Sequence, residues 1–124
     1  MELGRSNGLT LTVDSELTEI SNKCLPTAVK VENARLASAI DRNAYVDALK
    51  EQEKVFATAK KGKTAALVPV DFPSGTEVTE NTLANRKGDI WDKLRDADVN
   101  NPTKFGVTVT KQKEYTLVLF VVSE

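Results

Sequence analysis

The segment "DADVNNPTKFGV", residues 96–107, sets Asp96, Asp98 and Asn100 at the first three ligand positions of a calcium loop. In such a loop alternate side-chain oxygens converge on one cation. Asn101 can take the left-handed turn usually given to glycine there. The twelfth position, however, needs a bidentate glutamate and holds Val107, a residue wanted by the strand that follows. Too few charged oxygens remain to hold calcium strongly. A helix end running into a polar loop accounts for the same residues, so no metal ligand is assigned.

Other reactive residue types are scarce. The chain contains no histidine, which removes Ser-His-Asp and Cys-His nucleophilic catalysis, histidine-ligated zinc and imidazole acid–base chemistry. Cys24 is the single cysteine, so no internal disulfide can form, and that alone does not fix a redox compartment. It falls on the apolar side of an amphipathic stretch, where a thiol packs as a small hydrophobe. "GKT" (62–64) resembles the tail of a phosphate loop. The position five residues before Gly62 is Ala57 rather than glycine, and a helix precedes the loop where a strand should. Glu77, Glu80 and Asp89 could serve as a carboxylate pair, but their spacing does not make them converge. No catalytic, cofactor-binding or metal residue is therefore expected, and no cofactor.

Charge points the same way. Lys and Arg number 17 against 18 Asp and Glu, a formal net charge of -1 that offers no footprint for nucleic acid or an anionic membrane. The local cluster "KKGK" (60–63) sits where a helix should end, and cations there oppose the negative end of the helix dipole. The longest apolar run, "YTLVLFVV" (115–122), is of strand length, so no membrane insertion is expected. "MELGRSNGLT" lacks an apolar h-region, so no signal peptide is expected in this chain. The compartment stays open between a secreted mature domain and a virion component. Trp91, Tyr45, Tyr115 and the four phenylalanines fall on apolar faces and are expected in the core.

The elements that position these residues follow from periodicity. "LTLTVD" (9–14) alternates and reads as a half-buried strand. "SELTEISNKCL" (15–25) follows as a short helix with Leu17, Ile20, Cys24 and Leu25 on one side. Asp14 or Ser15 caps it and Pro26 ends it. From Thr27 to Lys61 the pattern is helical, with Leu36, Ile40, Ala44, Tyr45, Ala48, Leu49, Gln52 and Phe56 on one stripe. "DRN" (41–43) can restart it as a second helix, and Gly62 stops it. "AALVPV" (65–70) is a short apolar strand that Pro69 pushes toward a sheet edge or a strand end. "FPSG" turns the chain and Thr79 caps a helix carrying Leu83, Ile90, Trp91 and Leu94, which Gly88 can break, with Asp89 as a second cap. "FGVTVT" and "YTLVLFVV" form a closing hairpin. Its first strand has a wet face, and its second, apolar on both faces, should be central and covered on both sides. The sum is one α+β domain over 1–124, a mainly antiparallel sheet with a C-terminal hairpin, packed by helices in a sandwich-like α–β–α arrangement.

Two resemblances attach to these residues. "VDFPSGTEVTENTL" (70–83) resembles the start of SAF-type modules through Asp71, Pro73, Gly75, Thr76, Val78, Thr79 and Leu83. A strand, turn and capped helix produce the same letters. "SNGLTLTVDSELTEIS" (6–21), with Gly8, Leu9, Leu11, Asp14, Leu17 and Ile20, is similar to the opening of the CAP superfamily of cysteine-rich secretory, antigen 5 and pathogenesis-related proteins. "IWDKL" and the closing hairpin resemble that family's late tryptophan helix and final strands. The resemblance implies an α–β–α sandwich. It also implies a degenerate domain without the family's metal site, because the cavity histidines are missing, and no site residue transfers.

The expected function is thus a non-enzymatic binding or interaction module, with a protein partner or self-association. The rival is a structural subunit of a larger assembly, such as a virion, tail or pilus component, pairing through the edge at "AALVPV". A histidine-independent carboxylate enzyme is the third reading.

Overall fold

The computed structural model describes residues 11–37 and 41–124. In chain order the elements are β1 (Thr12–Val13), α1 (Ser15–Leu36), α2 (Arg42–Ala59), β2 (Ala65–Pro73), α3 (Glu80–Ala84), α4 (Lys87–Asp96), β3 (Lys104–Lys111) and β4 (Tyr115–Ser123). The strands form one mixed sheet in the order β1-β3-β4-β2. β4 pairs antiparallel with both neighbours, and β1 adds a short parallel pairing to β3. The fold is α+β, as the periodicity implied.

Every residue of β4 is buried, because strands flank it and helices cover both its faces. Tyr115, Leu117, Leu119 and Val121 pack with Leu17, Ile20, Cys24 and Ala28 of α1. Val118, Phe120 and Val122 face the other way, toward Ile90 and Leu94 of α4. One strand thus separates two cores and belongs to both. Residues alternate across a strand, so a run apolar at every position can only be satisfied in this place.

On the first face α1 lies against the sheet through its backbone. A Cβ on Gly106 of β3 would sit 2.1 Å from the carbonyl carbon of Leu17 and from the amide nitrogen of Thr18. Only glycine permits that approach. Asp14 caps the helix there, accepting from the amides of Glu16 at 2.9 Å and Leu17 at 3.1 Å. Ser21, fully buried, donates to the Leu119 carbonyl at 2.8 Å and ties the next turn to β4.

Several boundaries differ from the sequence expectation. Pro26 does not end the first helix; α1 runs through it to Leu36. The ring lies on the solvent side, and so does Asn22, whose carbonyl loses its donor and is left to water. The apolar residues beyond, Ala28 and Val31, continue the buried stripe, and this packing outweighs the local cost. The helical stretch does split, with Asp41 accepting from the Ala44 amide at 3.0 Å to start α2. The single expected stripe breaks with it: Leu36 and Ala44 are exposed, while Ala48 is buried and Tyr45, Leu49, Gln52 and Phe56 are half-buried. Leu9, Thr10 and Ile40 lie outside the described residues.

Further along, Thr79 caps α3 as expected, but the break before α4 falls at Asn85–Arg86 and not at Gly88. Asp89 is no cap; it sits in the first turn of α4 and holds Arg86 at 2.7 Å. β3 has no cleanly wet face, since Val109 is exposed while Thr108 and Thr110 are half-buried under α1. The left-handed residue after α4 is Asp98, not Asn101. Asp98 donates to Arg95 and Val99 to Leu94, closing the helix by a Schellman turn with Val99 buried.

The close approach at Gly106 gives a direct test. Gly106→Ala is expected to lower unfolding free energy by at least about 2 kcal/mol, because backbone cannot yield as a side-chain tip can. Denaturant titration reads this as a lower midpoint. A loss below about 0.5 kcal/mol would show that α1 can lift off β3 without harm.

Candidate interaction surface

The residues that suggested chemistry are scattered. Cys24 is fully buried against β4. Lys63 of "GKT" pairs with Glu16 at 2.8 Å, and Lys61 and Gly62 are both left-handed in a tight turn closed by Lys63 donating to Lys60. Glu77 and Glu80 are exposed on the α3 side, apart from the Arg86 pairing of Asp89. The amides of Asn100 and Asn101 donate to Glu124 Oε2 at 3.1 and 3.0 Å, so that loop presents donors to a carboxylate instead of oxygens to a cation. Among the described residues no group of three or more His, Cys, Asp or Glu is placed to hold a metal ion. Of the aromatics, Phe72, Phe105, Phe120 and Tyr115 are buried, whereas Trp91, Tyr45 and Phe56 are only half-covered.

What the fold does build is an asymmetric sheet edge. β2 is the outer strand, so of the two places open to Pro69 it takes the sheet edge and not the strand end, and the strand runs to Pro73 rather than ending at Val70. The direction of each backbone group along it follows from the ladder. Gln112 donates to the Tyr115 carbonyl at 2.8 Å, so odd-numbered residues of β4 bond β3 and even-numbered ones bond β2. Ala66, Val68, Val70 and Phe72 then exchange bonds with β4, and the backbone groups of Ala65, Leu67, Pro69, Asp71 and Pro73 point outward. Both prolines thus occupy positions where the missing N–H costs the ladder nothing.

The C-terminal half of this edge is blunted, with only the Pro69 carbonyl and the Asp71 N–H left without a partner among the described residues. Pro69 and Pro73 offer no donor. Arg86 donates from Nη1 to the Asp71 carbonyl at 2.5 Å, and Thr76 donates to the Pro73 carbonyl at 3.1 Å. Arg86 is held in place by Asp89, by the Asp71 carboxylate at 3.6 Å and by the ring of Phe72 beneath its guanidinium at 5.6 Å. On the other side Arg35 pairs with Asp71 at 3.2 Å and with Glu32, which is nearly buried. A chain of alternating charge, Glu32–Arg35–Asp71–Arg86–Asp89, therefore runs from α1 across the strand end to α4. The hydrogen bond to Glu32 raises the Arg35 pKa above its ordinary value, and the one to Asp89 raises that of Arg86.

The N-terminal half is unpaired, with Leu67 half-buried and Ala65 only 3% accessible at the floor of a groove. Among the described residues nothing pairs with the outward N–H and C=O groups of Ala65 and Leu67. They lie in a groove of about 400 Å³ walled by α2 on one side and α4 on the other. α2 contributes Gln52, Glu53, Phe56 and Lys60, and α4 contributes Lys93 and Asp96. Gln52 Oε1 is buried there without a hydrogen-bond partner, a cost of about 1–3 kcal/mol for a buried acceptor. Glu53, Lys93 and Asp96 form no ion pair among the described residues. Sequence reasoning found the edge through Pro69. It missed Arg86 as its seal, because a side chain donating to a backbone carbonyl leaves no spacing signal.

Compared with protein-family models, curated proteins and solved structures, the chain has no match. No helix among the described residues is long and apolar enough to cross a membrane.

Two measurements follow from this geometry. Removing the seal with Arg86→Met frees the Asp71 carbonyl and is expected to promote concentration-dependent association by light scattering; unchanged scattering would deny the seal its role. Burial pushes the Cys24 thiol up from its ordinary value against a smaller opposing pull from Lys23. Burial, then the negative charges of Glu32 and Glu114, push the Tyr115 hydroxyl up as well. Both groups hold their protons more tightly when folded, so this stabilisation is complete below their ordinary values and is lost as pH rises through the folded ones. The denaturant midpoint is expected to fall above about pH 9, and to fall less steeply in Cys24→Ala. A midpoint that rises over that range would contradict the assignment.

Proposed function

We propose that this chain is a non-catalytic α+β module that works by protein contact, with the open half of the β2 edge as its contact surface. One observation carries the reading: all four outward backbone groups of Ala65 and Leu67 are unmet, whereas farther along the same edge two prolines remove donors and Arg86 and Thr76 occupy the carbonyls of Asp71 and Pro73. Unpaired strand edges are templates for another strand, and proteins blunt the ones they do not use. An edge blunted over half its length marks the other half as used. The groove supplies apolar contact at Phe56 and Leu67 and charges of both signs at its rim, the composition of a protein-binding surface.

A second reading is supported by the sheet's other edge. β1 is exposed along both its described residues, and Val13 is 64% accessible. If β2 of one copy met β1 of the next, the contact would be head-to-tail and would generate an open assembly, the role of a structural subunit. A degenerate CAP-like domain fits the three-layer arrangement and the central closing strand, and it adds no site residue to either reading.

Amide exchange tests the contact surface residue by residue. In dilute protein Ala65 and Leu67 are expected to exchange quickly, while Ala66 and Val68, bonded to β4, are protected. Protection at all four positions in dilute monomer would mean the chain covers its own edge, and the reading would fail.

A further inference from the structure

We infer that the occupant of the open half-edge is the same half-edge of a second copy, antiparallel, with Ala66 opposite Ala66 across a two-fold axis. This rests on the reading of β2 as a contact surface and names its partner.

The backbone sets the register. A two-fold axis at Ala66 places Ala65 of each copy opposite Leu67 of the other, and each pair exchanges two N–H to C=O bonds. All outward groups of Ala65 and Leu67 are then satisfied. A two-fold centred on Val68 instead sets Pro69 against Leu67, whose carbonyl meets no donor, and Ala65 against Asp71, whose carbonyl Arg86 already holds. A two-fold on Leu67 sets Ala65 against Pro69, and one on Ala65 sets Leu67 against Lys63, whose N–H is already given to Lys60. Each of these also leaves a carbonyl without a donor, so the Ala66 register alone satisfies all four groups.

Side-chain size agrees. Ala65 meets Leu67 on the α2 face, small against large. Ala66 meets Ala66 on the α4 face, where two small residues leave room for the flanking helices.

Charge agrees on both faces independently. Glu53 and Lys60 of α2 both line the groove, and a two-fold reverses their order from one copy to the other, so in the inferred dimer each Glu53 is set toward the other copy's Lys60. Lys93 and Asp96 of α4 line it as well, and the same reversal sets each Lys93 toward the other copy's Asp96. All four residues line the groove beside Ala65–Leu67, and none of them forms an ion pair among the described residues. An acid and a base from each of two unconnected helices give the groove the charges of a surface complementary to itself. The unmet acceptor of Gln52 lies in the same groove.

The test is sedimentation of the full chain over a concentration series up to about 1 mM. A closed dimer is expected, with the Ala65 and Leu67 amides becoming protected as it forms. Leu67→Pro removes an outward donor and no bond to β4, so it should leave the Ala66 and Val68 amides protected and yield a monomer. Glu53→Lys should raise the dimer Kd by about tenfold or more, and Glu53→Lys combined with Lys60→Glu should return it to within about threefold of the parent. That rescue does not depend on the proline variant folding. A chain that stays monomeric throughout overturns the second-copy inference, while fast exchange at Ala65 and Leu67 would still uphold the contact surface. Species growing beyond two copies, or a charge swap that fails to rescue, overturns it equally.

Discussion

β4 is the constraint on which the rest of the molecule depends. A strand buried on both faces requires a strand on each side and a helical layer above and below. With 124 residues, those four neighbours consume nearly the whole chain. The long excursion through α1 and α2 exists to cross from β1 at one edge to β2 at the other while covering one face. The excursion through α3 and α4 covers the second face on the way back to β3. Both cores then share one wall, so a defect in β4 is felt in both layers at once.

The same constraint decides where the molecule is left unfinished. A sheet whose centre is its last strand must place earlier strands at its rims, and those rims carry unmet backbone groups. β1 is short. β2 is long and would be the greater hazard, yet it carries proline at two of its five outward positions and an arginine on the carbonyl of a third. Arg86 can do this because it is over-determined: a carboxylate on its own helix, another on the strand and an aromatic ring below leave its guanidinium little choice of direction. Surface ion pairs alone contribute little to stability, so the network's effect is one of position rather than energy.

How much of this was legible in the letters can be traced element by element. β4 was legible because six apolar residues in succession, Leu117 to Val122, admit few solutions, and the edge character of β2 was one of two places left to Pro69, which cannot donate. Thr79 and Asp41 announced their helices through caps, which are local chemistry. Pro26 misled for the opposite reason: a local rule was outweighed by a buried stripe that continues beyond it, and the decisive fact, that the ring faces water, belongs to the tertiary structure. Asp98 took the turn expected of Asn101 because the helix closes around Val99, and the burial of Val99 is again a tertiary matter. Gly106 carried no signal, since its necessity lies in the backbone of Leu17, some ninety residues away in sequence.

The contact surface was legible only by halves, and the physical reason is parity. Whether a backbone group on β2 points at β4 or at solvent alternates with residue number, and the phase is set by the hairpin bond between Gln112 and Tyr115, far from β2 in sequence. Shift that phase by one residue and Pro69 would break the ladder while Ala65 and Leu67 would be consumed inside it. The prolines therefore fix the phase as much as they tolerate it: among the pairings open to β2, they permit only the one that turns Ala65 and Leu67 outward. A strand that must keep its register to stay in the sheet thereby also keeps the same two residues facing out.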